Sequence, residues 1–208
     1  MKTNAAEPAF EIGTVEGNAY TNKFFGVEYA LPEGFSFYSA GQLAEMNAAI
    51  ARTNNDQTVS EAFKSGNAFF DMAAAAENDP NVSVVIQIAG PDTEAIDEAG
   101  YFDAAKDKII DQLNDAGITV KSAETGTYTN RTTCDEFAAI NLANEAQGVP
   151  MYEENICIKA GDYFMNITAT ATDEAGLDSV LSRLTRIRRS RERAKSIRSR
   201  AKGAVKKR

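Results

Sequence analysis

The chain has 208 residues, 43% of them apolar and 25% charged, with 14 glycines and 5 prolines. That balance suits one globular domain with a real core and excludes a disordered or collagen-like chain; no apolar run approaches the roughly 18–20 residues of a transmembrane segment. Histidine and tryptophan are both absent, so Ser–His–Asp triads, Cys–His dyads, histidine-ligated zinc and imidazole relays are excluded by count.

The net charge of −8 hides a segregation of sign. From Arg183 to Arg208 there are 13 basic residues against the single acid Glu192, which leaves +12. Residues 1–182 hold 9 basic and 29 acidic residues, which leaves −20. The body is expected to repel nucleic acid and anionic membranes, and the tail to attract both. Two cysteines, Cys134 and Cys157, do not make a disulfide-stapled scaffold.

Residues 1–9 are small and polar and read as a leader or linker, without the charged-then-apolar pattern of a secretory signal. From Phe10 the pattern alternates through a Gly17-Asn18 turn, and Phe25, Val27, Tyr29 and Leu31 share one parity, as a half-buried strand requires. Pro32-Glu33-Gly34 turns the chain into the strand-like Phe35-Ser36-Phe37-Tyr38. Ser39 and Gln42 have capping-box spacing for a helix with Leu43, Met46 and Ile50 on one face. Thr58 and Glu61 repeat the box for a short helix ending near Gly66.

Strands over 68–75 and 82–89 are predicted to form a hairpin around Asn78-Asp79-Pro80-Asn81. Asp92 then caps a long helix over 93–116, with Phe102, Ala105, Ile109, Leu113 and Ala116 at helical spacing and Gly117 as its terminator. Strand-like stretches follow at 118–124, 127–131, 134–143, 151–159 and 163–171, punctuated by Gly126, Gly148-Val149-Pro150 and Gly161-Asp162. Their connections are too short for parallel crossovers, so an antiparallel meander is expected. Thr172-Asp173-Glu174 opens a last helix with acids in its first turn. The predicted class is α+β: a twisted antiparallel sheet with helices packed on its faces, spanning residues 10–187, followed by a basic helical or disordered tail over 188–208.

The stretch from Phe25 to Phe35 resembles the G-x-x-Y/F-x-x-P-x-x-W strand and turn of PsbP-like domains, with Phe35 where tryptophan is common. Tyr152 to Thr168 is similar to their last hairpin before the C-terminal helix. That family includes the extrinsic photosystem subunit, the Ran-binding Mog proteins and many small bacterial lipoproteins. The resemblance implies an α-β-α sandwich and a non-enzymatic accessory or binding role, closest in flavour to the bacterial lipoproteins. It thereby implies an extracytoplasmic protein, membrane-anchored in the full gene, with Met1–Pro8 as a post-cleavage linker. The photosystem subunit's metal and partner residues do not carry over to a chain without histidine.

No catalytic, cofactor-binding or metal site is predicted from the residues, and no cofactor is implied. The two cysteines carry two readings, a disulfide or a pair of small buried hydrophobes. A hairpin turning near Gln147-Gly148 sets Cys157 opposite Ala139, several residues from Cys134. Asp103, Asp107, Asp111 and Asp115 fall on one face of the long helix, either as an acid–base or cation site or as a solvated face, and the solvated face is preferred. Glu153-Glu154 read as one exposed and one half-buried acid. Tyr20, Phe24, Phe35, Phe37 and Tyr38 belong to a dense aromatic stretch that forms either a ligand cleft or core, and core is preferred. The sequons at Asn81, Asn130 and Asn166 are discounted, and no glycine-rich phosphate loop occurs.

The tail is the sharpest signal. Leu184, Ile187, Ala194, Ile197, Ala201, Ala204 and Val205 make a discontinuous apolar stripe, so the final helix is predicted to run from about Asp173 towards Lys202 as a basic amphipathic helix. Arg188, Arg189, Arg191, Arg193, Lys195, Arg198, Arg200, Lys202, Lys206, Lys207 and Arg208 are its candidate contacts with an anionic membrane surface or nucleic acid. The competing readings are docking on an acidic surface of the same or another copy, a solvated and disordered tail, or a segment foreign to the domain, since the composition changes abruptly at Ile187. Three functions therefore stand: an accessory domain binding an unknown protein or small ligand, a tail-driven binder of anionic surfaces, and, least favoured, a carboxylate- or cysteine-based enzyme.

Overall fold

A computed structural model describes residues 10–53, 68–77, 80–89 and 95–187. Its architecture follows from short alternating segments that pair with their neighbours. β1 (Thr14–Glu16) and β2 (Ala19–Asn22) close over a turn in which Gly17 takes a φ of 61°, a left-handed value that glycine adopts without penalty. β2 pairs with β3 (Val27–Ala30), which sets Tyr20 opposite Tyr29 and buries both, while Glu28 points to solvent. β4 (Phe35–Phe37) follows the turn at Pro32-Glu33-Gly34 and belongs to a second, larger sheet.

α1 (Ala40–Thr53) starts on the expected capping box: the Ser39 backbone N–H donates to Gln42 Oε1 at 2.8 Å, and Gln42 N–H donates to Ser39 Oγ at 3.3 Å. Its Asn47 brackets the backbone of Phe70, donating to the carbonyl at 3.0 Å and accepting from the N–H at 2.7 Å. It thereby satisfies polar backbone of β5 (Ala68–Ala76) beyond the stretch that β4 covers. The short helix expected over 58–66 lies outside the described residues, as do residues 1–9 and 188–208.

β5 and β6 (Asn81–Ile88) form the predicted hairpin. α2 runs Glu98–Asp115, shorter at its start than predicted. Its cap is Asp97, which accepts from Gly100 N–H at 2.9 Å, rather than Asp92, which is not among the described residues. The reason is a tether: Lys159 Nζ donates to the Ile96 carbonyl at 2.6 Å and holds the chain just ahead of the cap against the sheet. β7 (Ile118–Thr129), β8 (Glu136–Ala146), β9 (Val149–Ala160) and β10 (Tyr163–Ala171) then make the expected antiparallel meander. Gly126 breaks nothing, contrary to prediction, because its pairing with Ala139 continues the ladder and β7 is one strand.

β10 also pairs with β6, which gives a seven-stranded sheet in the order β4-β5-β6-β10-β9-β8-β7. Its alternating residues feed two cores. On one face Val82, Val84, Ile86, Ile156, Met165 and Ile167 meet Tyr20, Val27 and Tyr29 of the small sheet. On the other, Ile140, Leu142, Cys157 and Phe164 meet Phe102 of α2. The class is α+β, an antiparallel sheet with helices packed against it.

α3 covers only Glu174–Leu181, capped by Asp173, which accepts from Gly176 N–H at 2.7 Å. The predicted run of helix through the tail is corrected here. After Ser182 the chain forms β11 (Leu184–Arg186), which pairs with β3 and completes a sheet ordered β1-β2-β3-β11. Leu184 is 1% exposed, so it belongs to the core and not to an amphipathic helix face. Asn130 fixes this junction: fully buried, it donates through Nδ2 to the Ser182 and Leu184 carbonyls, at 3.1 and 2.7 Å, and accepts from Thr132 and Thr133 N–H groups.

Candidate functional site

The register of the meander builds a polar rung across three strands. Glu124 of β7 faces Asn141 of β8, Asn141 faces Glu154 of β9, and Glu154 faces Ala169 of β10. The next rung holds Gly126, Ala139 and Ile156, so small residues on β7 and β8 leave the sheet surface hollow. Nothing lies within 4 Å of where a Gly126 Cβ would stand. α3 packs on β10 and β9, and a groove lies between its Glu174–Leu177–Asp178 edge and the outer strands. Thr127, Tyr128, Thr129 and Arg131 close one end of it, and its volume is about 380 Å³. A second hollow of about 300 Å³ continues it along Glu124, Thr125 and Gly126, sharing Thr127, Asn141 and Glu154.

The groove is acidic. Glu124, Glu154, Glu174 and Asp178 line it against one base, Arg131, whose guanidinium lies 2.7 Å from the Asp178 carboxylate at an exposed rim. Glu154 is half-buried, and burial pushes its carboxyl up to about 7; an Asn141 hydrogen bond opposes the rise and the Asp178 charge adds to it. Tyr128 is pushed up to about 12 by burial and by the Asp178 and Glu154 charges. Near neutral pH the floor of the groove therefore carries a carboxyl that gains or loses its proton readily, beside amide, hydroxyl and phenol groups. Such a set is chemically suited to cations and hydrogen-bonding groups. Among the described residues no cluster of three or more cysteine and carboxylate groups is placed to hold a metal ion, and no helix is long and apolar enough to cross a membrane.

The aromatic stretch falls elsewhere. Tyr20, Phe25 and Tyr29 are buried in the core, Phe24, Phe35 and Phe37 pack against it, and Tyr38 is 37% exposed. Tyr20 Oη donates to Asp71 Oδ2 at 2.6 Å, and burial followed by the Asp71 charge pushes its phenol well up. The core alternative describes all of them but Tyr38, which is exposed. Asp103, Asp107, Asp111 and Asp115 are all exposed on α2, the solvated face of the two readings.

Cys157 sits opposite Ala138, one residue from the predicted Ala139, and burial pushes its thiol well up. Cys134 is exposed at a φ of 58°; both thiols are free, so the disulfide and the pair of buried hydrophobes are both corrected. The eleven basic candidates from Arg188 to Arg208 lie outside the described residues.

Of Glu153 and Glu154, Glu154 is the expected half-buried acid, and the other is corrected, since it is buried rather than exposed. Glu153 is 8% exposed on the opposite face, where Asn155 Nδ2 donates to it at 2.7 Å and burial raises its carboxyl. The signal for Glu154 was present in the sequence: it shares the parity of Ile156 and Ile158, which places it on an apolar face.

No family model and no curated protein matches the chain. Among solved structures, the chain is similar in fold to the solution structure of cyanobacterial PsbP (CyanoP) from Synechocystis. The two are 12% identical over 86% of this chain and 99% of that one, with a TM-score of 0.48. It is also similar to LpqN of Mycobacterium tuberculosis, described as involved in cell envelope biogenesis, at 13% identity over 76% of this chain and 82% of that one, with a TM-score of 0.40.

Proposed function

We propose that this chain is a non-enzymatic accessory module that binds a small cationic, hydrogen-bonding ligand, or the like group of a partner protein, in the groove beside α3. The observation that carries the reading is the acid-lined concavity with half-buried Glu154 on its floor and, among the described residues, no cysteine thiol in its lining. Cys157 faces the other core, and Asp178 is engaged by Arg131. Residues 10–187 form the folded module and 188–208 a basic appendage. The extracytoplasmic, lipoprotein-like setting belongs to the same proposal, and protease accessibility in intact cells checks it.

The test is a titration of the isotope-labelled full chain with 1,4-diaminobutane, followed by NMR. Shifts confined to Thr127–Arg131, Asn141, Glu154 and α3, and abolished by Glu154→Gln, support the reading. Shifts scattered over the acidic surface overturn it, as does the lack of any shift in a chain whose basic residues over 188–208 are changed to serine.

A second reading rests on the segregated charge: the 188–208 segment attaches the acidic body to an anionic surface. Co-flotation with phosphatidylglycerol vesicles that is lost when its arginines become serines, and that collapses with salt, supports it. Flotation that survives the substitutions removes it.

A further inference from the structure

The described chain ends beside the groove. Ile187 N–H donates to the Gly26 carbonyl at 2.7 Å, and the preceding Arg186 lies with its guanidinium 4.5 Å from the centre of the Phe137 ring. Phe137 in turn stacks on Tyr128, ring centres 6.4 Å apart, and Tyr128 lines the groove. Arg186 N–H also donates to Asp135 Oδ2 at 3.1 Å, and its Nη2 to the Glu136 carbonyl at 3.1 Å, so the exit is pinned to the start of β8. Beyond it stand 21 residues with 11 basic side chains and one acid. The groove beside this exit is lined by four carboxylates, Glu124 and Glu154 on the sheet and Glu174 and Asp178 on α3, against one base, Arg131, which pairs with Asp178.

We infer that residues 188–208 are the groove's own occupant: the basic segment docks in cis on the acidic patch formed by Glu124, Glu154, Glu174 and Asp178. The inference rests on the groove being a binding site, as proposed above. Reach is no obstacle, since eight residues from Ile187 to Lys195 span up to about 26 Å at roughly 3.3 Å per residue. Local concentration favours the intramolecular partner, because a tethered group stands at an effective concentration of order millimolar. The other row of acids, on α2, lies across the seven-stranded sheet from β11 and is interspersed with Lys106 and Lys108. Docking in cis holds the tail's charge away from anionic surfaces and occupies the groove at once, so each would be released by a competitor for the other.

Zero-length carbodiimide cross-linking of the full chain tests this directly, using an equal mixture of labelled and unlabelled protein to separate links within a chain from links between chains. Expected are intrachain links from Lys195 or Lys202 to Glu124, Glu154, Glu174 or Asp178, lost on raising salt to about 0.5 M, where exposed charges are screened within a few ångströms. The quadruple change of those acids to Gln and Asn should remove the links at least tenfold. Links that favour Asp103, Asp107 or Asp111, links only between chains, or no links overturn the inference. If 1,4-diaminobutane still binds the groove in that case, the binding reading stands and only the occupant is wrong.

Discussion

One face of the seven-stranded sheet is two surfaces. Where the small sheet and α3 cover it, the inward positions of β6 and β10 are apolar: Val82, Val84 and Ile86 on β6, Met165 and Ile167 on β10. Beyond β10, across β9, β8 and β7, the cover ends and the same alternation delivers Glu154, Asn141 and Glu124. β9 crosses the boundary within one strand, since Ile158 and Ile156 are buried in the core and Glu154, two residues on, floors the groove. The period of the strand is constant; what changes is whether a second layer removes the position from water. A carboxyl at that margin keeps enough solvent to exist and loses enough for its affinity for protons to rise.

The cover itself is the place to break this contrast. Asn130, in the loop after β7, donates to the Ser182 and Leu184 carbonyls at the start of β11 and accepts from the Thr132 and Thr133 N–H groups of its own loop. Asn130→Ala removes the side-chain donor to the Ser182 and Leu184 carbonyls, at a cost of roughly 1–3 kcal/mol for each group that water cannot reach. A loss of about 2–4 kcal/mol in urea unfolding is expected, the largest effect among these changes. A loss below about 0.5 kcal/mol would mean that β11 is held by its ladder with β3 alone.

Glu154 sharpens the same boundary through pH. Its folded value lies near 7, above the ordinary glutamate value of 4.5, so the folded state holds the proton more tightly than the unfolded state. Stability from this group is therefore intact below about pH 4.5 and is lost as pH rises to about 7. Glu154→Gln removes the dependence, and the difference between variant and parent should grow with pH across that window to roughly 1–3 kcal/mol, the lower end reflecting solvent at the groove. Unfolding at pH 4, 5.5 and 7.5 measures it; parallel stability curves would place the carboxyl in bulk solvent.

Much of this was legible in the sequence. Tyr163–Ala171 is predicted to the residue, the Ser39–Gln42 box forms, and the parity of Phe25, Val27 and Tyr29 is the parity of the core. These are local signals, read from spacing alone. What failed depended on the rest of the molecule. Leu184 and Ile187 suit a helix stripe as well as a strand, and only the ladder with β3 decides for the strand. Asp97 replaces Asp92 because Lys159, 62 residues later, holds Ile96. The groove needed two pieces of information at once: the parity of Glu154, which the sequence carries, and the end of α3 over β9, which it does not. Glu124 and Asn141 enter the site only through cross-strand register, set by the bulge between Val120 and Ser122 and by the Gln147-Gly148 turn.

The smallest expected effect completes the contrast, because it concerns acids without a covering layer. Asp107 and Asp111 stand four residues apart on α2, both exposed, with water on the outer side of each. Two like charges at that spacing repel by about 0.2–0.5 kcal/mol, and solvent screens the rest. The double change Asp107→Asn, Asp111→Asn should therefore shift stability by less than about 0.5 kcal/mol, in the stabilising direction if it moves at all, and equally at pH 5.5 and 7.5. A dependence on pH as steep as that of Glu154 would show that burial at the groove is not what distinguishes the two sets of acids. The carboxylates would then differ by position only, and the case for the groove as the site where cations are held would rest on its shape.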